Sequence, residues 1–243
     1  MKSRPKKADL HVHSKYSTRP SEWILRKIGC SESYTDPLQL YAAAKARGMD
    51  YVTITDHNTI AGSLDIAHLE GTFVSEEITT YFPEDGCKLH VLTHRITEAQ
   101  HEEISRLRQN VFDLVVYLNR EGIHHAAAHP LYSVNDRLTV NHVEEMLLLF
   151  NTFELNGSRD AYQNRILKEI LDRLTEEDLD FLEDKHGVPP FGITPWKKRV
   201  IGGSDDHSAL NIARTWTEVE GADSIGRFLE GIDRGRARVE GRA

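Results

Sequence analysis

The chain has 243 residues, 39% of them hydrophobic and 28% charged, with a formal net charge of −8 and 2 cysteines. These values are typical of a globular domain with one core. Cys30 and Cys87 show neither CxxC spacing nor a disulfide framework, so we expect them to be ordinary thiols. The acidic balance argues against a nucleic-acid partner. No apolar stretch predicts a membrane span or a signal peptide, so we expect a cytoplasmic protein.

Short β-rich runs alternate with amphipathic helical runs along the chain. The β-rich runs predict strands over residues 8–13, 50–56, 73–79, 88–94, 123–129, 152–156 and 200–206, followed by a short strand over 214–219. The helical patterns between them cover residues 36–48, 97–121, 139–150, 160–185 (as one or two helices) and 222–235. The first helix has a clear start, because Asp36 is a good N-cap and Pro37 suits the first helical position.

The alternation of strands and helices predicts a parallel α/β arrangement. Seven or eight such units in about 240 residues favour a barrel over an open sheet. We find no internal repeat and no linker, so residues 1–243 are expected to form one domain. The longest irregular segments, 14–35 and 186–199, are candidate lids.

Histidine is frequent, with 13 residues, and its placement is not random. Six histidines lie at or near the carboxyl ends of predicted strands: His11, His13, His57, His90, His129 and His207. In α/β barrels that rim is where active sites form. The other seven fall mostly on predicted helices or loops, so we expect them to be solvated or capping residues.

Several of these histidines stand in short motifs with carboxylates. Residues two apart on a strand face the same side, so His11 and His13 can reach one metal ion. Asp205 and His207 repeat this spacing after Gly202-Gly203, and the two glycines permit close backbone approach. A further carboxylate, Glu77, lies inside a β-branched run, where its burial is costly unless it binds a cation.

The remaining histidines complete a set of nitrogen and oxygen ligands. His57 follows Asp56 where a strand ends, and His90 and His129 also lie at strand ends. Imidazole and carboxylate ligands without a thiolate suit Zn, Mn or Fe. Eight ligands exceed what one ion needs, so we expect two or three divalent ions bridged by a carboxylate.

Taken together, the motifs resemble those of a known family. DLHVHS (9–14), TDHN (55–58), EEIT (76–79), LHVL (89–92), AHP (128–130) and GSDDHS (203–208) are similar, in the same order, to the signature motifs of the PHP (polymerase and histidinol phosphatase) superfamily. The resemblance spans residues 8–219. It implies a distorted (β/α)7 barrel, up to three metal ions and hydrolysis of phosphoesters.

The resemblance also implies a role for each motif residue. It assigns the first metal to His11, His13, Glu77 and Asp205, the second to Glu77, His90 and His129, and the third to His57 and His207. Glu77 is preferred over Glu76 because the family's bridging Glu directly precedes an Ile-Ser/Thr pair. Strand alternation allows only one of the two to face the site.

One position departs from the family pattern. Family members commonly carry Asp or His five or six residues after the second histidine of the first motif, whereas this chain has Thr18 and Arg19 there. Thr18 is a poor ligand and Arg19 cannot bind a cation. The third metal is therefore expected to be weak, absent, or completed by water or substrate phosphate. Arg19 is either a bidentate phosphate clamp or a surface residue.

The expected reaction is hydrolysis of a small-molecule phosphomonoester by a hydroxide that bridges the metals. Arg19 and Arg159 are expected to stabilise charge on the phosphoryl oxygens, and Asp205 or His207 to pass a proton to the leaving group. Three alternatives remain open at this point. They are a phosphodiesterase or nuclease on the same site, a C–N hydrolase of the amidohydrolase type, and a metal-binding PHP module of a larger protein.

Overall fold

The computed structural model describes residues 4–18, 24, 27–28 and 30–242. Within these residues the strands are β1 (Lys6–Asp9), β2 (Tyr51–Val52), β3 (Ser75–Tyr81), β4 (Lys88–His94), β5 (His124–Ala128), β6 (Thr152–Asn156), β7 (Arg199–Gly203), β8 (Thr215–Val219) and β9 (Ala237–Gly241). The helices are α1 (Pro37–Ala46), α2 (Ala61–Ile66), α3 (Glu98–Leu107), α4 (Val111–Arg120), α5 (Val140–Leu149), α6 (Ala161–Arg173), α7 (Glu176–His186) and α8 (Ile225–Asp233). No helix of this described part is long and apolar enough to cross a membrane.

Side-chain caps explain where several helices begin. The Asp36 carboxylate accepts a hydrogen bond from the Leu38 amide at the start of α1, as the sequence predicts. The single helix predicted over residues 97–121 is wrong, because the chain forms α3 and α4 instead. Asn110 caps the start of α4 by accepting a hydrogen bond from the Phe112 amide, and this new cap interrupts an otherwise continuous amphipathic pattern.

The strands form two sheets. One has the order β2-β1-β8-β9 and the other β3-β4-β5-β6-β7. The predicted mixture of strands and helices is confirmed, but no closed barrel is found among the described residues. Strict alternation also fails at β3 and β4, which pair antiparallel because a short hairpin rather than a helix joins them. Strand β9, which pairs antiparallel with β8, was not expected from the sequence.

The two sheets meet along the segments that follow β1 and β2. An isolated parallel bridge joins Val12 to Asp206, beyond the end of β7, and another joins His57 to Glu77 on β3. The predicted strands over 8–13, 50–56 and 200–206 are therefore shorter in the structure, and their last residues lie outside the regular strands. This junction brings the histidine motifs of both sheets together.

A hydrophobic core supports the junction from the side of the larger sheet. The largest buried cluster packs helices α3 to α7 against the five-stranded sheet, with Leu114, Phe150 and Phe153 fully buried. Burying one such side chain contributes about 1.5–3 kcal/mol. Strands β3 to β6 are thus held rigidly, and so are the side chains they project toward the junction.

Candidate metal centre

Glu77 lies at the middle of the histidine cluster. Its side chain is 1% exposed, and its Oε2 atom lies 3.1 Å from Nε2 of His11, 3.1 Å from Nε2 of His13 and 3.1 Å from Nδ1 of His57. The backbone of β3 fixes this position, because the Glu77 amide donates to the Asp56 carbonyl across the sheet junction. One carboxylate oxygen therefore faces three imidazole nitrogens.

The other oxygen of Glu77 faces two more histidines. Oε1 lies 2.9 Å from Nδ1 of His90 on β4 and 3.1 Å from Nε2 of His129, which follows β5. His129 has a positive φ of 29°, an uncommon backbone conformation that directs its ring toward Glu77. The neighbouring carboxyl, Glu76, faces the opposite side of β3 and contacts His101 instead.

Asp205 provides the second carboxylate of the cluster. Its Oδ1 atom lies 3.5 Å from Nε2 of His11, 3.4 Å from Nε2 of His13 and 3.7 Å from Nδ1 of His207. The close backbone approach expected at the glycines is present, since a Cβ at Gly203 would stand 2.3 Å from the His11 Cβ. The glycine is what allows Asp205 to reach the first motif.

Glu32 forms a third group with two histidines. Its Oε2 atom lies 3.4 Å from Nε2 of His57, and its Oε1 atom lies 3.6 Å from Nε2 of His207. Sequence reasoning missed Glu32, which lies on an irregular segment without a strand or helix pattern. No spacing rule connects it to the motifs.

Sequence reasoning also missed Glu154, on β6. Its Oε1 atom lies 2.8 Å from Nδ1 of His11, and its Oε2 atom accepts a hydrogen bond from the His129 amide. Ser17 plays a similar part for His13, with its hydroxyl 2.9 Å from Nδ1 of that ring. These contacts orient the rings that face Glu77. Glu154 carried a signal, because it is a carboxyl inside a buried apolar strand.

The cluster contains buried polar atoms that lack hydrogen-bond partners. They are Oε2 of Glu32, Nδ1 of His57, Oε2 of Glu77, Nδ1 of His90, Nδ1 of His129, Nε of Arg159 and Nε2 of His207. Buried polar groups are normally paired, so such a concentration needs an explanation. Ligand atoms of three groups lie close enough to share an ion: His11 with His13 and Asp205, His57 with Glu77 and His90, and His13 with His57 and His207. These residues fit divalent cations that prefer nitrogen and oxygen ligands.

The charges of the cluster stabilise one another. Burial acts to raise the pKa of Glu77, but His11, His57 and His90 hold it well below the usual range. Burial likewise opposes ionisation of Asp205, and His11 and His13 nevertheless keep its pKa well below the usual range. Both carboxylates are therefore ionised at neutral pH. A bound cation would take the place of the protons on the facing rings.

A cavity of about 930 Å³ opens over the cluster and is lined by Thr18, Glu32, Arg108, Tyr132 and Arg159 among others. Arg159 lies 3.1 Å from Oδ2 of Asp205 through Nη2, and its guanidinium carbon is 3.9 Å from the Tyr132 ring centroid. The second predicted clamp, Arg19, lies outside the described residues.

Two of the histidines expected on the surface are buried instead. His94 on β4 and His124 on β5 face each other with their Nδ1 atoms 3.1 Å apart, and Nε2 of His94 lies 3.1 Å from the Leu10 carbonyl. The expectation that they are solvated is wrong, because both lie on paired antiparallel strands and their side chains are buried. His142 does cap a helix, completing the capping box of α5 with Thr139.

Comparison with known proteins gives a relative by sequence and several by structure. No family model matches the chain. Over 72 residues it is 40% identical to an uncharacterised protein of Methanocaldococcus jannaschii, an alignment that covers 30% of this chain and 40% of that protein. The chain thus matches about two fifths of the curated relative's length.

Two solved structures resemble nearly the whole chain. A two-domain protein from Bacteroides vulgatus, containing a predicted PHP-like metal-dependent phosphoesterase, superposes with a TM-score of 0.64 at 15% identity, covering 98% of this chain and 65% of that one. A lesion-specific endonuclease from Pyrococcus furiosus superposes with a TM-score of 0.56 at 14% identity, covering 97% and 57%. The motif resemblance is confirmed at the level of fold, because the chain shares its fold with a structure that contains a predicted PHP-like phosphoesterase.

Proposed function

We propose that the chain is a metal-dependent phosphoesterase that hydrolyses small-molecule phosphomonoesters. The observation that carries the proposal is Glu77, a buried carboxylate with five imidazole nitrogens within about 3.1 Å of its two oxygens. A structural role does not require so many partners on one carboxylate. The motif order and the shared fold support the same reading. We also propose that residues 1–243 form one domain whose junction of two sheets corresponds to a distorted (β/α)7 barrel.

The proposed ligands are the eight motif residues, holding two or three ions of Zn, Mn or Fe: His11, His13, His57, Glu77, His90, His129, Asp205 and His207. Bound cations would lower the pKa of a coordinated water and stabilise charge on the phosphoryl oxygens. The chain's own contribution is to hold the ligands in place. Glu77 spans two of the ligand groups, and Glu154 and Ser17 fix the rings of His11 and His13.

Arg159 is positioned to bind the phosphoryl group. Its guanidinium contacts Asp205 at the edge of the cluster and stacks on Tyr132, so its planar face is fixed while its Nε atom lacks a partner. A guanidinium can bind two phosphoryl oxygens at once. Asp205 and His207 remain the proposed proton carriers to the leaving group. Arg19 remains a proposed second clamp.

A phosphodiesterase or nuclease is the second candidate. One structural relative is an endonuclease, and a cavity of about 930 Å³ is larger than a phosphate group needs. The exclusion of nucleic acid argued from net charge therefore gains no support from the structural relatives. Arg108 and Lys88 also line the cavity and would suit a second anionic group of a larger substrate.

Elemental analysis of the purified protein, combined with hydrolysis of p-nitrophenyl phosphate and of its bis-ester, tests the proposal. We expect two or three ions per chain, turnover of the monoester, and loss of turnover in His11→Ala and Asp205→Ala. Faster turnover of the bis-ester would favour the second candidate. A chain that takes up Mn or Zn but hydrolyses neither ester would contradict the enzyme assignment.

A further inference from the structure

Glu32 lies beside the metal position for which the first motif supplies no third ligand. The third metal position, as the PHP resemblance assigns it, has two histidines from this chain and no third protein ligand, because Thr18 and Arg19 occupy the usual places. The structure brings a carboxylate to this position from farther along the chain. Glu32 lies between His57 and His207, and each of its oxygens faces a different ring.

The distance from Glu32 to each ring suits neighbouring ligands of a cation. The Glu32 oxygens are 3.4 Å from Nε2 of His57 and 3.6 Å from Nε2 of His207, and neither contact forms a hydrogen bond. Two ligand atoms that are each about 2.1 Å from a tetrahedral ion are about 3.4 Å apart. The observed separations are therefore too long for good hydrogen bonds and close to those required around a cation.

The protonation of His207 leads to the same conclusion. Its Nδ1 atom lies 3.1 Å from the Asp205 backbone carbonyl, which can only accept a hydrogen bond, so Nδ1 carries a hydrogen. In a neutral ring Nε2 then has a lone pair, and this lone pair faces the Glu32 carboxylate. Two acceptors facing each other repel unless a positive charge lies between them.

Burial makes that repulsion costly. The side chains of Glu32, His57 and His207 are between 16% and 27% exposed, and Oε2 of Glu32 and Nε2 of His207 are buried without a hydrogen bond. The group therefore presents a carboxylate and two imidazoles to one another at the cavity wall.

We infer that Glu32 is a metal ligand that completes a third cation position with His57 and His207. It takes the place of the Asp or His ligand that Thr18 and Arg19 replace in this chain. The inference rests on the proposed metal centre and names a ligand that the motifs do not contain. Glu32 would thereby compensate for Thr18 and Arg19, neither of which is a good metal ligand. The third position is built into the chain and does not depend on substrate phosphate to complete it.

The test counts metal ions and does not require activity. Wild-type protein, Glu32→Gln and the control Glu103→Gln, a partly exposed glutamate on α3 that pairs with Arg106, are stripped with chelator and titrated with MnCl₂. Elemental analysis and the electron paramagnetic resonance of free Mn²⁺ follow the uptake. We expect Glu32→Gln to bind one ion fewer per chain, or to bind its weakest ion at least tenfold more weakly. Glu103→Gln should match the wild type.

A rescue variant makes the assignment specific. Thr18 lines the cavity, and Thr18→Asp restores a carboxylate at the usual place in the first motif. We expect Glu32→Gln combined with Thr18→Asp to regain the lost ion. If Glu32→Gln is misfolded by circular dichroism, Glu32→Asp replaces it, and its weakest ion should again bind at least tenfold more weakly.

The outcomes separate this inference from the proposed function. A wild type that binds three ions, with Glu32→Gln binding two, supports the inference even if no phosphoester is hydrolysed. A Glu32→Gln protein with the same number of ions and the same affinities as the wild type overturns it, even if the wild type is an active phosphoesterase.

Discussion

Oε1 of Glu154 accepts a hydrogen bond from Nδ1 of His11 at 2.8 Å, so Nε2 of the same ring is the nitrogen that faces Glu77 and Asp205. A carboxylate can only accept, which fixes a hydrogen on Nδ1 and leaves Nε2 as the nitrogen that can exchange its proton for a cation. Glu154 therefore selects both the orientation and the tautomer in which His11 can bind a cation. Outer contacts of this kind tune metal sites as strongly as many direct ligands do.

Glu154→Gln is expected to weaken metal binding by about 10–100-fold, because the amide loses the charge that favours the Nδ1–H tautomer of His11. Competition with a fluorescent chelator measures the change. Glu154 also accepts from the His129 amide, and Gln can keep that bond through its carbonyl oxygen. The role assigned to Glu154 would be wrong if the variant folded normally and held its metals with wild-type affinity.

Gly203→Ala is expected to destabilise the fold by about 1–3 kcal/mol and to reduce metal content. A Cβ at this position would stand 2.3 Å from the His11 Cβ and 2.8 Å from the His11 amide nitrogen, so the first motif must shift. Urea unfolding gives the stability. Gly226→Ala is the control, because a Cβ there would meet only the flexible end of Arg95 at 3.2 Å. Equal effects of the two substitutions would contradict the close-approach argument.

Arg159→Ala is expected to lower kcat/KM for a phosphomonoester by about 10²–10³-fold, the usual cost of removing one positioned donor. Arg159→Lys should recover only part of this loss, because an ammonium keeps the charge but cannot bind two oxygens in one plane. Steady-state kinetics on metal-loaded protein measures both variants. Arg165→Ala, on the exposed part of α6, provides the control. A lysine variant with full activity would argue against bidentate binding.

Acid is expected to destabilise the protein through the buried His94–His124 pair. Burial lowers the pKa of both rings to about 3, whereas in the unfolded chain they titrate at their ordinary value of 6.5. Between pH 6.5 and 3 the unfolded state thus binds protons that the folded state excludes. Stability falls as the pH drops, by about 1.4 kcal/mol per pH unit for each group.

Urea unfolding of the wild type and of His124→Gln at pH 7, 6 and 5 measures this effect. The variant should lose less stability between pH 6 and pH 5, since one fewer proton is taken up on unfolding. His68→Gln, at an exposed position, should keep the wild-type slope. A slope unchanged in His124→Gln would show that the acid sensitivity arises elsewhere.

Much of the fold and the centre of the site could be predicted from local patterns. Caps such as Asp36-Pro37 and the spacing of His11 and His13 act over a few residues, and a sequence displays them directly. The break between α3 and α4 could not be predicted in the same way. The amphipathic pattern continues through it, and the Asn110 side chain competes at that point by capping a new helix.

The two missed carboxylates differ in how they could have been found. Glu154 lies in a buried apolar strand, as Glu77 does, so the argument that burial of a carboxylate requires a partner applies to it equally. Glu32 offered no such signal. Its position depends on the path of an irregular segment, and only the folded chain shows that it meets His57 and His207.

The side-by-side carboxyls of β3 give its hairpin a chemical role. Glu77 meets the histidines of the junction and Glu76 meets His101 on the other face, so a slip of one residue in pairing with β4 would exchange them. The turn at the end of β3, closed by hydrogen bonds between Phe82 and Cys87 and between Gly86 and Phe82, sets that pairing. The length of this turn thus decides which of two identical functional groups the imidazoles receive. Inserting or deleting a single residue there would bring Glu76 to the histidines in place of Glu77, although no ligand residue is substituted.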